Sequence, residues 1–169
     1  VSIFARTVGL AGQVLQAAMG HDPQDPFSRA LTLASRPFPA SFRFGVPSEL
    51  PFFGDDLAQA AFDVSIARLI AMGGQPVTVD FTPLAQAAEL LYESALVAER
   101  YAAVRPFFDA HEADVMEPVR GILASGRRYS AADLVDAQVK LRAPGQRAAA
   151  MWAGIDVLLV PTAPTHYTI

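Results

Sequence analysis

The chain has 169 residues, of which 52% are hydrophobic and 18% are charged, and this balance excludes a disordered chain. The net charge of −4 argues against a nucleic-acid-binding protein, because recognition of nucleic acid needs clustered Lys and Arg. The mean hydropathy of +0.28 is high, but the apolar runs fall far short of the roughly 20 residues that span a bilayer.

The first quarter of the chain predicts one helix, one connection and one strand. Thr7 is predicted to cap a helix that ends at Gly20, because apolar residues recur on one side between them. Residues 21–39 contain several prolines that prevent continuous helix or strand pairing, so a surface connection is predicted. Residues 42–46 alternate in polarity and predict a short strand.

The middle of the chain predicts a helix, a strand and a second, longer helix. Asp55 and Asp56 suit a helix N-terminus, and the apolar positions that follow keep helical spacing until Gly73. Residues 76–81 predict the second strand. Thr82, followed by proline, predicts the N-cap of a helix that continues to about residue 104.

The last third predicts two helices and a third strand. Pro106 is expected to interrupt the preceding helix, and another helix is predicted near residues 115–125. Ser130 and Asp133 have the spacing of a capping box, which predicts a helix that reaches about residue 150 and that Pro144 bends or splits. Residues 156–160 predict an apolar strand.

Strands separated by helices of this length predict the α/β class. The expected architecture is a mixed, mainly parallel sheet flanked by helices on both faces. Three strands are few for such a sheet, so we interpret residues 1–169 as a single partial domain, incomplete at both ends. Chain before Val1 and after Ile169 is expected to complete the sheet.

No catalytic pair can be assembled from these residues. The serines are isolated, and none lies in a Gly-x-Ser-x-Gly elbow or a glycine-rich serine loop. Lys140 is the only lysine and lies in a polar helical stripe, so we assign it no catalytic role. Acids surround His111, but the second histidine of a zinc helix is missing, and no metal or cofactor is predicted.

Several segments together carry a family resemblance that spans nearly the whole chain. They are FRFGVP at residues 42–47, FFGD at 52–55, VDF at 79–81, LLYESALVAERY at 90–101 and LLVPTAPT at 158–165. In this order they resemble the amidase-signature family and, within it, the allophanate hydrolases. The resemblance implies an amide hydrolase of urea degradation that converts allophanate to ammonia and carbon dioxide.

The resemblance also implies a binding role for two residues, Tyr92 and Arg100, whose separation of eight matches the family pair that holds the substrate carboxylate. An arginine suits that role because its paired donors fit a carboxylate bidentately. On a continuous helix the two residues would lie on adjacent faces, about 12 Å apart along the axis. The ordinary alternative is a half-buried tyrosine beside Leu91 and an arginine paired with Glu99 or with an acid on a neighbouring helix. Tyr101 is expected to serve packing.

The catalytic serine, bridging serine and lysine of the family are expected upstream of Val1. Two alternatives stay open: a catalytically inactive truncated fragment, or a relative of the glutamine amidotransferase subunits that acts on another substrate. A small carboxylated amide is the expected binding partner, with no nucleic acid and no membrane, and a homodimer stays open. The absence of cysteine fits a reducing compartment, and a cytoplasmic location is expected.

Overall fold

A computed structural model describes residues 2–32 and 38–167, which divide into two compact units, residues 1–38 and 39–169. The first unit contains helix α1, Val8–Ala18. Thr7 Oγ1 accepts a 3.1 Å hydrogen bond from the Leu10 amide, which confirms the predicted cap. The rest of this unit, as far as it is described, forms turns and irregular chain, in agreement with the predicted connection. Residues 33–37 of that connection lie outside the described residues.

The second unit is built around a parallel sheet of three strands in the order β2-β1-β3. Strand β1 is Phe42–Pro47, β2 is Gly74–Val79 and β3 is Val157–Leu158. The predicted mainly parallel sheet is therefore confirmed. The second strand begins and ends two residues earlier than predicted. The third is shorter than predicted because only Val157 and Leu158 pair with β1.

Helix α2, Asp56–Ala71, connects β1 to β2 and packs against β2. Asp55 Oδ1 accepts a 2.9 Å hydrogen bond from the Ala58 amide, so the predicted acidic N-terminus is a true N-cap. The helix is followed by Gly73 at φ +94°, a conformation that residues with a side chain rarely adopt. A Cβ at this position would also collide with the carbonyl of Ala40, which explains why glycine ends the helix.

The long helix predicted to run from Thr82 to about residue 104 is wrong in three respects. The chain forms α3, Thr82–Glu93, then a 3-10 turn, Ala95–Val97, and then α4, Ala98–His111. Thr82 is the first helical residue rather than the cap. Pro106 lies inside α4 and does not end it, because Phe108, which follows on the same helix, is fully buried and anchors that segment.

The last two helices are α5, Val119–Ser125, and α6, Ala131–Trp152. Helix α5 begins later than predicted because Pro118 precedes it. The capping box that opens α6 is confirmed: Ser130 Oγ accepts from the Asp133 amide at 3.2 Å, and Asp133 Oδ2 accepts from the Ser130 amide at 2.7 Å. Pro144 lies inside α6 and does not split it.

Helices flank the sheet, and α3 packs against α6. The buried side chains of the described residues are all apolar. They are Phe42, Phe44, Pro47, Phe62, Val79, Pro83, Ala95, Val97, Phe108, Ala137, Pro144, Ala148 and Ile155. Among residues 2–32 and 38–167, no helix is both long and apolar enough to cross a membrane.

Candidate substrate-binding site

The chain between Tyr92 and Arg100 changes direction at one residue. Ser94 leaves the helical conformation at φ −136° and ψ 179°, which ends α3 and begins the 3-10 turn. Ala95 and Val97 in that turn are 2% and 0% exposed, so the turn is held in the core. A single helix would have kept Ala95 and Val97 on different sides, whereas the 3-10 turn buries both.

This break brings the side chains of Tyr92 and Arg100 into contact. The guanidinium carbon of Arg100 lies 4.4 Å from the centre of the Tyr92 ring, within the range of a cation–π interaction. Arg100 Nη1 also donates a 2.9 Å hydrogen bond to the carbonyl of Leu91. The predicted separation of about 12 Å along one helix axis is therefore wrong, because the two residues lie on different helices.

Both side chains keep groups that face solvent. Tyr92 is 57% exposed and Arg100 is half-buried. In the described part of the chain Arg100 makes no ion pair, so the predicted alternative of a partnership with Glu99 or an acid on a neighbouring helix does not occur. A guanidinium carries five N–H donors, and the Leu91 carbonyl takes one of them. The remaining donors and the Tyr92 hydroxyl could bind an anionic group.

The neighbouring Tyr101 belongs to a different cluster, as predicted for a packing residue. Its ring meets that of Phe108 edge-on at 6.1 Å, and its hydroxyl donates to Asp109 Oδ1 at 2.9 Å. Arg127 donates to the same oxygen at 2.7 Å and to Glu112 Oε2 at 2.7 Å. The hydrogen bond from Arg127, followed by that from Tyr101, holds the pKa of Asp109 below its usual value.

A cavity of about 560 Å³ opens beside this cluster. Its lining includes both apolar and cationic side chains, among them Leu96, Tyr101, Arg105, Arg127 and Leu134. Neither Tyr92 nor Arg100 lines this cavity. The Tyr92–Arg100 contact and the cavity are therefore separate features of the α3–α4 region.

The other candidate groups from the sequence do not assemble into a reactive centre. In residues 2–32 and 38–167 no serine hydroxyl is hydrogen-bonded to a lysine or a histidine. Lys140 lines a cavity between α3 and α6 together with Glu89 and Glu93. His111 lies 3.3 Å from Asp114 at the end of α4, and the described residues contain no group of three acidic or histidine side chains suited to a metal.

Two features of the structure are not predicted from the sequence, a helix break and a hydrogen bond. Ser94, at which the helix breaks, lies within the single continuous helix that the sequence predicts, although serine competes for backbone hydrogen bonds inside helices. Thr165, in the segment that follows β3, donates a 2.8 Å hydrogen bond to Asp55 Oδ2. The pKa of Asp55 is lowered by the hydrogen bond from the Ala58 amide and, next, by that from Thr165.

The family described as Amidase matches residues 1–168 of this sequence. The chain belongs to the amidase family. Its amidase sequence is 30% identical over 173 residues to a urea amidolyase of Saccharomyces cerevisiae, an alignment that covers 100% of this chain and 9% of that protein. A urea amidolyase of Lachancea kluyveri is 32% identical over 174 residues and is also covered to 9%.

The amidase fold is supported by a solved structure of an allophanate hydrolase from Kluyveromyces lactis. The two superpose with a TM-score of 0.84 at 32% identity, over 91% of this chain and 26% of that chain. The chain thus spans about a quarter of the solved allophanate hydrolase and about a tenth of the urea amidolyases. The resemblance stated from the sequence motifs is confirmed.

Proposed function

We propose that the protein carrying this chain hydrolyses allophanate to ammonia and carbon dioxide, and that Tyr92 and Arg100 bind the carboxylate of the substrate. Three observations support the proposal. The chain belongs to the amidase family, its relatives are named urea amidolyase and allophanate hydrolase, and the Arg100 guanidinium lies against the Tyr92 ring without a carboxylate partner in the described residues.

The stacked guanidinium is the observation that carries the proposal. Allophanate is a urea derivative with a carboxylate at one end and an amide at the other. A planar guanidinium presents parallel donors that fit both oxygens of a carboxylate, and the Tyr92 hydroxyl adds a further donor. The Leu91 carbonyl and the Tyr92 ring restrain Arg100 before substrate arrives, which lowers the entropy lost on binding.

The reacting groups are proposed to come from parts of the amidase domain outside these 169 residues. There a serine activated by a lysine would attack the amide carbonyl, release ammonia and leave an acyl-enzyme that water hydrolyses. Within the described residues, the hydroxyls of Ser65, Ser94 and Ser125 each donate a hydrogen bond to a backbone carbonyl. The chain by itself is therefore proposed to be inactive, and the purified 169-residue chain should release no ammonia from allophanate.

The test compares charged and neutral substrates in the complete amidase domain. Arg100→Ala should lower kcat/KM for allophanate by roughly ten- to a hundredfold, which is the effect of losing one hydrogen bond to a charged group. Activity on biuret, in which an amide replaces the carboxylate, should change little. The matched control is Arg142→Ala, at an exposed arginine of α6, which should leave both activities unchanged.

An unchanged kcat/KM for allophanate in Arg100→Ala would contradict the proposal. Ammonia release from glutamine in preference to allophanate would instead support the alternative of an amidotransferase-like substrate. That alternative is weakened by Arg100, because the amide-bearing end of glutamine offers no carboxylate to a guanidinium beside the reacting group.

The cellular setting of this function is also proposed. We assign the protein to the cytoplasm, since the chain contains no cysteine and allophanate is a metabolic intermediate of urea. A homodimer is the protein assembly that we propose to test, by measuring the mass of the complete protein in solution.

A further inference from the structure

The junction between α3 and α4 determines whether Tyr92 and Arg100 can act together. We propose that Ser94 is a positioning residue, whose hydroxyl binds backbone groups on both sides of the helix break and thereby keeps Arg100 oriented toward the substrate carboxylate. This inference rests on the proposed function. It assigns a role in substrate binding to a residue that touches neither the substrate nor the reacting atoms.

The Ser94 hydroxyl bridges the two sides of the break. It donates a hydrogen bond to the carbonyl of Leu90 in the last turn of α3, and it accepts one from the amide of Leu96 at 3.3 Å. One oxygen thus closes the end of a helix and opens the following 3-10 turn. An alanine at this position would leave both backbone groups without these partners.

The last turn of α3 exposes two neighbouring carbonyls, and two different side chains bind them. The Ser94 hydroxyl donates a hydrogen bond to the carbonyl of Leu90, and Arg100 donates one of 2.9 Å to the carbonyl of Leu91. Carbonyls at a helix C-terminus attract cations, because the helix dipole places partial negative charge there. Without the serine hydroxyl, the Leu90 carbonyl would compete for the guanidinium and draw it away from the Tyr92 ring.

The helix break is also stabilised by burial, so the orientation of Arg100 can change without loss of the fold. Ala95 and Val97 are buried and hold the 3-10 turn in the core whether or not the hydroxyl is present. Loss of the hydroxyl is therefore expected to alter the orientation of Arg100 while the fold persists. The consequence should appear in substrate binding rather than in the chemical step.

The experiment uses the complete amidase domain with allophanate as substrate. Ser94→Ala should raise KM by roughly three- to tenfold with kcat within about twofold of the wild type, as expected for loss of one capping hydrogen bond. Ser94→Thr should restore KM, because threonine keeps the hydroxyl and accepts the extended backbone of this position. KM for biuret should not change.

The matched control is Ser65→Ala. Ser65 also donates to the carbonyl four residues earlier, that of Ala61 at 2.9 Å, but it lies inside the unbroken helix α2. It should leave KM for allophanate unchanged. If Ser94→Ala does not fold, Ser94→Cys keeps the shape with much weaker hydrogen bonds and is judged by the same change in KM.

The double variant Ser94→Ala/Arg100→Ala decides whether Ser94 acts through Arg100. If it does, the double variant should be no worse than Arg100→Ala alone, because the positioned group is already gone. Additive losses, or a Ser94→Ala enzyme with the wild-type KM, would overturn the inference. If Arg100→Ala itself has wild-type activity, the proposed function fails first, so the two failures are distinguishable.

Discussion

The guanidinium of Arg100 stacks on the ring of Tyr92 at 4.4 Å, although the two residues lie eight positions apart in the chain, on opposite sides of a helix break. This contact gives each residue a distinct part in the proposed site. The ring holds the guanidinium by a cation–π interaction, and the Tyr92 hydroxyl stays available because the residue is 57% exposed. The two parts can be separated by substitution.

Substitutions at Tyr92 should distinguish the contribution of its hydroxyl to substrate binding from that of its ring. Tyr92→Phe keeps the stack and removes the hydroxyl, so KM for allophanate should rise by roughly three- to tenfold, the effect of one hydrogen bond. Tyr92→Leu also loses the stack and should raise KM further. Steady-state kinetics of the complete domain measure both. Equal KM values for the two variants would mean that the ring does not help to hold Arg100.

Replacement of Gly126 by any residue with a Cβ should destabilise the fold. A Cβ there would lie 2.8 Å from Cβ of Tyr101 and 3.1 Å from Cα of Ala98, where α4 begins. Gly126→Ala should therefore lower the free energy of unfolding by about 1–3 kcal/mol through overpacking. Denaturant unfolding of the complete domain measures this change, and an unaltered midpoint would contradict the close approach.

The control for that experiment is Gly145→Ala inside α6. No atom lies within 4 Å of the added Cβ, so the helix preference of alanine should raise the free energy of unfolding by about 0.5–1 kcal/mol. Both substitutions replace glycine by alanine, but they should change the free energy of unfolding in opposite directions.

The ionisation of Asp109 should make the stability of the domain depend on pH in the acidic range. Arg127 and then Tyr101 lower its pKa in the folded state, below the value of about 3.9 for a free aspartate. The carboxylate therefore stabilises the fold fully above that unfolded value, and this contribution disappears as the pH falls through the lowered folded pKa. Asp109→Asn should be destabilised relative to the wild type at pH 7, and the difference should shrink below about pH 4.

Denaturant unfolding between pH 7 and pH 3 measures that difference. Tyr101→Phe removes the weaker of the two donors to Asp109, so it should give a smaller difference of the same sign. A difference that stays constant from pH 7 to pH 3 would show that the ionised form of Asp109 has no special role in the fold.

Local signals in the sequence predicted the elements whose ends are fixed by neighbouring residues. Thr7 caps α1 and Ser130 opens α6 with Asp133, as predicted, and Asp55 lies at the predicted N-terminus of α2 and caps it. Each of these caps joins groups three residues apart. The alternation of strands and helices likewise predicted a parallel sheet. Motif order along the chain led to the correct family.

The tertiary structure alone decided how the candidate site is built. The periodic apolar pattern from Thr82 onward is typical of one long helix, but burial of Ala95 and Val97 against other elements breaks it at Ser94. Pairing of β3 with β1 likewise ends after two residues. Local sequence patterns determined which residues form helices and strands, whereas long-range burial determined that Arg100 meets Tyr92, since core contacts between distant segments can outweigh helix periodicity.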